Sequence, residues 1–546
     1  MNLLLTASAI ALAAMEPGHM HEHALQLGKL SFETSCGPAA QTSFETGLGW
    51  LHSFGYQDSE RSFAEAAAAD PGCAIAWWGV AMSNYHPLWA APTPAEFARG
   101  KDAIEKAKAA GAKSQREKDY VAALDTFYRD ADRLDLKTRA FAYSNAMAKL
   151  HASYPKDDEA AVFYALSLIA AGTMDGDKAY PRQKQAAAIL NDVLARNPDH
   201  PGVAHYLIHA FDYPALAELA LPAARRYASI APDSAHAQHM PSHIFTRLGL
   251  WDEAIKSNLA AEASAKAHAP AMGMRGAWDQ QLHAMDYLAY AYLQAGRDKD
   301  ALKVLEDLKG ISQADPPSPA AAYAVTAIPA RILLERRRWD EAAAFDLPAS
   351  LAGLTALSKN KWAIANVHFA RAVGAARGGK AAEAQDEIAK LSAIEQGLKT
   401  PPGEYDWGKQ VAIERQIAEA WLAHAGGKDE EAVRLMRSAA DLDDATEKHP
   451  VTPGAILPAR EELGELLLTL GRPADALREY EASLEHSPRR LAGLYGAAQA
   501  AKLAGNTVKA GRYYAELAQM TEKSDGARPE VKSARMVAAS LARTKD

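Results

Sequence analysis

From Phe44 onward, apolar residues recur at the spacing of a helix face, and few runs alternate with the two-residue period of a strand. The pattern predicts an all-α chain. Breaks punctuate it at LGLWDEA near Ala254, AGRDKDA near Ala301, RRRWDEA near Ala342, RGGKAAEA near Ala384 and AGGKDEEA near Ala432, at spacings of roughly 41–48 residues. Each break is followed by an acidic first turn, which suits the positive end of a helix dipole. The stretch from residue 44 to 541 therefore reads as about 11–13 helical hairpins stacked in one superhelix. Two Pro-rich stretches interrupt it, Ile311–Ala322 and Leu398–Gly408. The first separates an N-terminal half, 44–310, from a C-terminal half, 311–546.

A second periodicity is sharper. Between Asn197 and Gly249, Pro198 and Pro232 lie 34 residues apart, as do His205 and His239, and His209 and His243. Thirty-four residues is the length of a helix–turn–helix solenoid unit, so these histidines recur at one structural position in successive units. Residues four apart share a helix face, about 5–6 Å between Cβ atoms, and packed helices lie roughly 8–10 Å apart. Four imidazoles can therefore converge on one patch, which an apolar core does not require.

Several units resemble the tetratricopeptide repeat (TPR). In FETGLGWLHSFGYQDSERSFAEAAAADP, Gly47 stands at the family's small position 8, Phe63 at 24, Ala66 at 27 and Pro71 at 32. In LPAREELGELLLTLGRPADALREYEASLEHSP, Gly464 stands at 8, Ala476 at 20, Tyr480 at 24 and Pro488 at 32; Ala510 and Tyr514 repeat positions 20 and 24. The resemblance implies a right-handed α-solenoid whose first helices line a concave groove through positions 2, 5, 9, 12 and 13. On that register His205, His209 and Asp212 fall at 5, 9 and 12; His236, His239 and His243 at 2, 5 and 9; and His283, Asp286 and Tyr290 at 2, 5 and 9. Trp78, Met82, Tyr85 and His86 take groove positions in an earlier unit, as an aromatic wall or simply as core. The phrases HSFGY, WWGVAMSNYHPLW, HPGVAHYLIHAFD and HAQHMPSHIF also resemble a group of long, exported bacterial TPR proteins.

At 546 residues, 49% apolar and 23% charged, the composition is that of a soluble globular chain too long for one compact core. A formal charge of −8 without a Lys/Arg-rich run gives no footprint for nucleic acid or anionic lipid. Residues 1–14 read as a signal peptide ending in Ala11-Leu12-Ala13, too short to span a bilayer, and no later segment is apolar enough to do so. Export to the periplasm or beyond is the expectation. There Cys36 and Cys73 either pair or remain two buried thiols. Residues 15–43 form an N-terminal segment whose His19, Met20, His21 and His23 suit a soft or borderline metal.

The chemistry concentrates in the recurrent histidines. Neutral imidazoles bind Zn, Cu or Fe, and a nearby carboxylate completes the shell or orients a ligand. The candidate ligands are His205, His209, His239 and His243, with His236, His283, Asp212 and Asp286 as further ligands or supports. HYLIH has the spacing of a metalloprotease motif without its glutamate, so that class is disfavoured. Three readings stand: an extracytoplasmic binding protein holding a divalent transition metal, a scaffold docking a peptide, protein or small ligand in the groove without metal, or structural histidines. If a bound metal does chemistry, metal-assisted hydrolysis or oxidation with Asp212 or Asp286 as base is the expected class. Pro241 is expected to kink its helix, and the loop EKHPVTPGAILPARE, with His449 and Glu461, reads as a proline-shaped helix start.

Overall fold

The structure, a computed structural model, describes residues 25–88 and 91–543. The expected signal peptide, residues 1–14, and the His19–His23 tract lie outside the described residues. Among those residues the chain forms 28 α-helices, one 3₁₀ turn and two two-residue strands. Successive helices pack on one another as hairpins, giving a TPR-like α-solenoid. The repeat residues act as their chemistry demands. Phe63 lies where a Cβ on Gly47 would come within 3.0 Å and one on Gly79 within 2.3 Å; Tyr480 is held in the same way by Gly464 and Gly496, at 2.9 and 2.2 Å. Only glycine lets these helices approach the ring so closely.

Some expectations change. The first described helix begins at Pro38 rather than near Phe44. Leu25–Gly37 runs ahead of it as non-helical chain, burying Phe32 and hydrogen-bonding Lys29 N to Asp199 O at 3.0 Å. After RRRWDEA the second helix of the unit stops at Ala343, and short pieces follow at Ala349–Ala352, Thr355–Lys359 and Lys361–Ile364. Pro348, at the cap of the first piece, cannot donate a helical hydrogen bond. At the 310/311 division, where one continuous superhelix is expected, the packing runs on. Ala277–Trp278 pairs in parallel with Ala314–Asp315 across it, and one apolar cluster runs from Phe32 to Ala534.

The solenoid also closes on itself. Trp251 Nε1 donates to Arg489 O at 2.8 Å, Leu491 N to Gln294 Oε1 at 2.9 Å, and Arg490 Nη1 to the Tyr290 hydroxyl at 2.9 Å. Buried Arg490 also pairs with Glu335 at 2.7 Å and Glu461 at 3.0 Å. The non-helical loop between Asp429–Ala445 and Ala459–Thr469 is pinned inside this closure, where Arg331 Nη1 donates to Ala455 O at 2.8 Å. The expected open groove is therefore filled at its centre by the chain's own C-terminal loop.

Candidate metal centre

Three consecutive hairpins deliver the histidines. Pro201, with φ preset for a first helical turn, opens Pro201–Phe211, which carries His205 and His209. A Cβ on Gly202 would lie 2.4 Å from His52 Nδ1, so this helix seats directly on the N-terminal hairpin. Ser234 caps Ala235–His239 by accepting from Ala237 N at 3.2 Å, and that short helix carries His236 and His239. Pro241 has no N–H for the Ala237 carbonyl. The helix accordingly breaks at Met240 and restarts as Pro241–Arg247, which carries His243. Asp279–Gln294 supplies His283, Asp286 and Tyr287.

The six histidines form two triads, His205, His209 and His236, and His239, His243 and His283, with the candidate ligand atoms in each within 4.8 Å of one another. None of the six is more than 6% exposed. The tautomers follow from their partners. His205 Nδ1 lies 2.6 Å from the His52 carbonyl, which can only accept, so Nδ1 carries the proton. The Asn258 amide donates to Ala254 O at 2.8 Å, which turns its Oδ1 toward His239 Nδ1 at 2.6 Å. His243 Nδ1 donates to Asp212 Oδ2 at 2.9 Å, and His236 Nδ1 lies 3.2 Å from Gln280 Oε1.

With Nδ1 protonated, neutral His205, His236, His239 and His243 each present an Nε2 lone pair, and these lone pairs meet. His239 Nε2 and His243 Nε2 are 3.0 Å apart; His205 Nε2 is 3.0 Å from His209 Nε2 and 3.1 Å from His236 Nε2. In the His239–His243 and His205–His236 pairs both atoms are acceptors, and two acceptors at that distance repel unless a cation lies between them. Burial drives His205, His209, His236, His239 and His283 well below the usual imidazole range, and the neighbouring imidazoles lower them further. His243 is lowered by burial too, with Asp212 opposing. A proton is therefore the wrong cation at neutral pH. Metal–imidazole bonds of about 2.0–2.1 Å at a tetrahedral angle separate ligand nitrogens by about 3.3 Å, close to these spacings.

A third group contrasts with the triads. His52 Nε2 is 2.8 Å from Glu159 Oε2, and His200 Nε2 is 3.1 Å from Glu159 Oε1. Here each nitrogen faces an acceptor, so ring protons satisfy the geometry without metal. Burial would raise the Glu159 carboxyl, but His52 and His200 outweigh it and hold it below its usual range. The group fixes the strand of chain whose His52 carbonyl orients His205.

Asp212 is committed as a support. Its Oδ1 accepts from Arg247 Nε at 2.8 Å, and its Oδ2 accepts from His243 and, at 3.3 Å, from Lys448 Nζ. Burial would raise its carboxyl; the charges of Lys448 and Arg247 and the His243 N–H overcome this and keep it ionised. Burial pushes the Lys448 amine down to about 8, with Asp212 opposing. Tyr287 reaches the C-terminal loop, donating to Thr452 O at 3.2 Å, with its hydroxyl 3.4 Å from His243 Nε2. Beside Asp212, Arg247, Lys448, Trp251, Tyr290 and Gly454 line a cavity of about 220 Å³.

No protein-family model and no curated protein matches this chain. Among solved structures it is similar to the human IFIT1 dimer with m7Gppp-AAAA, at 13% identity over 88% of this chain and 99% of that one, TM-score 0.36. It is also similar to yeast Tom70, at 11% over 93% and 96%, TM-score 0.34, and to the P58(IPK) TPR domain, at 13% over 86% and 99%, TM-score 0.20. The packing of successive helical hairpins itself makes the fold TPR-like.

The structure brings together all six histidines named from the sequence, with Asp212 behind His243. Asp286 stands apart. Its carboxylate lies 3.7 Å from Arg331, neither oxygen has a hydrogen-bond partner, and burial pushes it up to about 6 against the Arg331 charge. Trp78, Met82 and Tyr85 do not line an open groove: they are at most 2% exposed, packed among Phe32, Tyr120, Phe127, Tyr143 and Phe163. His86 is half-buried on the Tyr56 ring at 4.3 Å. Tyr290 lines the cavity rather than the triads. Sequence reasoning missed His52, Glu159, His200, Asn258, Gln280, Arg247 and Lys448. His200 alone had a signal, directly preceding the Pro201 that opens the first histidine helix.

Proposed function

We propose that this protein is an extracytoplasmic binding protein whose buried histidine cluster holds a divalent transition metal such as Zn, Cu or Fe. One observation carries the reading: the Nε2 atoms of His239 and His243, and those of His205 and His236, converge at 3.0 and 3.1 Å with their Nδ1 protons committed elsewhere, in a site whose burial disfavours protonation. Structural histidines would pair donor with acceptor, as His52 and His200 do with Glu159. Docking of a peptide on these side chains is disfavoured by their burial. A three-histidine set leaves a coordination position open, so metal-assisted hydrolysis or oxidation is the second reading. Export is supported by the disulfide between Cys36 and Cys73, a bond that persists in oxidising compartments. Kinship with long exported bacterial TPR proteins is part of the same proposal.

The test is elemental analysis of untagged protein purified without chelator, beside the His209→Ala/His243→Ala variant. Near-stoichiometric metal lost in a variant of unchanged helical content supports the site. A chain that carries no metal and takes up none on titration with Zn, Cu or Fe overturns it.

A further inference from the structure

We infer that the six histidines hold two metal ions, one on each triad, and that the pair takes a small inorganic anion between them. This rests on the metal-site reading above and adds its stoichiometry and its exogenous ligand.

The ligand nitrogens gather as two groups of three rather than one group of six. In each triad two of the three histidines are oriented by a group outside the triads. His205 and His236 are oriented by the His52 carbonyl and Gln280; His239 and His243 are oriented by Asn258 and Asp212. Three protein ligands are the set that leaves a coordination position open. The triads are also neighbours: the His209 and His243 rings, and the His236 and His239 rings, are 6.3 Å apart, hardly more than the 6.0 Å between His243 and His283 within one triad. Paired catalytic ions sit about 3.5–4 Å apart in known sites, a separation such adjacent triads accommodate.

Charge identifies what fills the open positions. All six ligands are neutral imidazoles. Asp212, the carboxylate that touches the cluster, is already met by Arg247 at 2.8 Å and Lys448 at 3.3 Å, and Asp286 lies 3.7 Å from Arg331 without a hydrogen bond. The three cationic side chains outnumber these two carboxylates, so two dications in this pocket would be left without compensating charge from these groups. Their charge is then balanced by an anion from solvent, and a ligand bridging two open positions balances both. Hydroxide and azide have the size and charge required.

The experiment titrates the metal-free full-length chain with Co(II), following its visible absorption, and adds azide at saturation. His209→Ala removes a ligand from the first triad and His283→Ala from the second. Two equivalents in the wild type, one in each single variant and none in the double variant support the inference. An azide-dependent charge-transfer band confined to the two-ion protein supports the bridge. One equivalent in the wild type, abolished by either variant, overturns the pair and leaves the metal site standing; no Co(II) uptake together with no native metal removes both. An azide band equally strong in the one-ion variants overturns the bridge. Circular dichroism of each variant, and the wild-type stoichiometry itself, keep the result readable if a variant misfolds.

Discussion

Asn258 touches none of the converging Nε2 atoms, yet the geometry makes His239 depend on it. Its Nδ2 donates to Ala254 O at 2.8 Å, and this fixes Oδ1 against His239 Nδ1 at 2.6 Å. Replacing Asn258 with leucine, similar in volume and compatible with the helix Trp251–Ala271, removes the acceptor without opening a cavity. The His239 N–H is then buried with no partner, and the ring is free to present the wrong nitrogen. Loss of such a supporting partner typically costs 10–100-fold in metal affinity, or about 1.4–2.8 kcal/mol. The assay is competition with a chromophoric chelator for Zn(II) at pH 7.5, with helical content monitored in parallel. The second triad should weaken by about that factor while the first, oriented by His52 O and Gln280, stays within about twofold. Unchanged affinity in a folded Asn258→Leu protein would refute the assignment of His239 Nε2 as a ligand atom.

Two further outcomes are expected. With ordinary pKa values near 6.5, the fraction of a triad having all three imidazoles neutral would fall about 50-fold between pH 7.5 and 6.0; because these histidines are lowered, they stay neutral across that window. Zn(II) affinity measured by the same competition should therefore change only slightly from pH 7.5 to 6.0, and a steep loss there would contradict the burial argument. Replacing both Cys36 and Cys73 with serine opens a loop of sequence separation 37 and should lower unfolding free energy by about 3–4 kcal/mol, read as a fall in the urea midpoint with the metal content unchanged.

Much of the molecule was legible in the chain. Gly47, Phe63, Gly464 and Tyr480 announced the hairpin because close helix packing needs a missing Cβ opposite a ring. The 34-residue recurrence announced the histidine cluster because one offset, repeated, places side chains at equivalent points of stacked units. The groove register was less informative. It put Trp78, Met82 and Tyr85 at groove positions and left a wall or the core open, and the hairpins around Ala74–Ser83 bury all three. A repeat pattern specifies which way a side chain points relative to its neighbours and is silent on whether something else covers that direction.

What the sequence determined by itself, then, was local and periodic: helices, their breaks, the repeat, and the convergence of His205, His209, His236, His239, His243 and His283. Only the tertiary structure decided that the cluster is closed. The loop carrying Lys448 reaches Asp212 across 236 residues of chain, and His52 reaches His205 across 153. Contacts of that range leave no periodic trace, because each is made once, between elements whose separation is set by the accumulated twist of the whole solenoid. Yet these contacts fix the His205 tautomer and hold Asp212 behind His243, and they exclude the water that would otherwise let the imidazoles protonate, which suits the six histidines to the proposed metal.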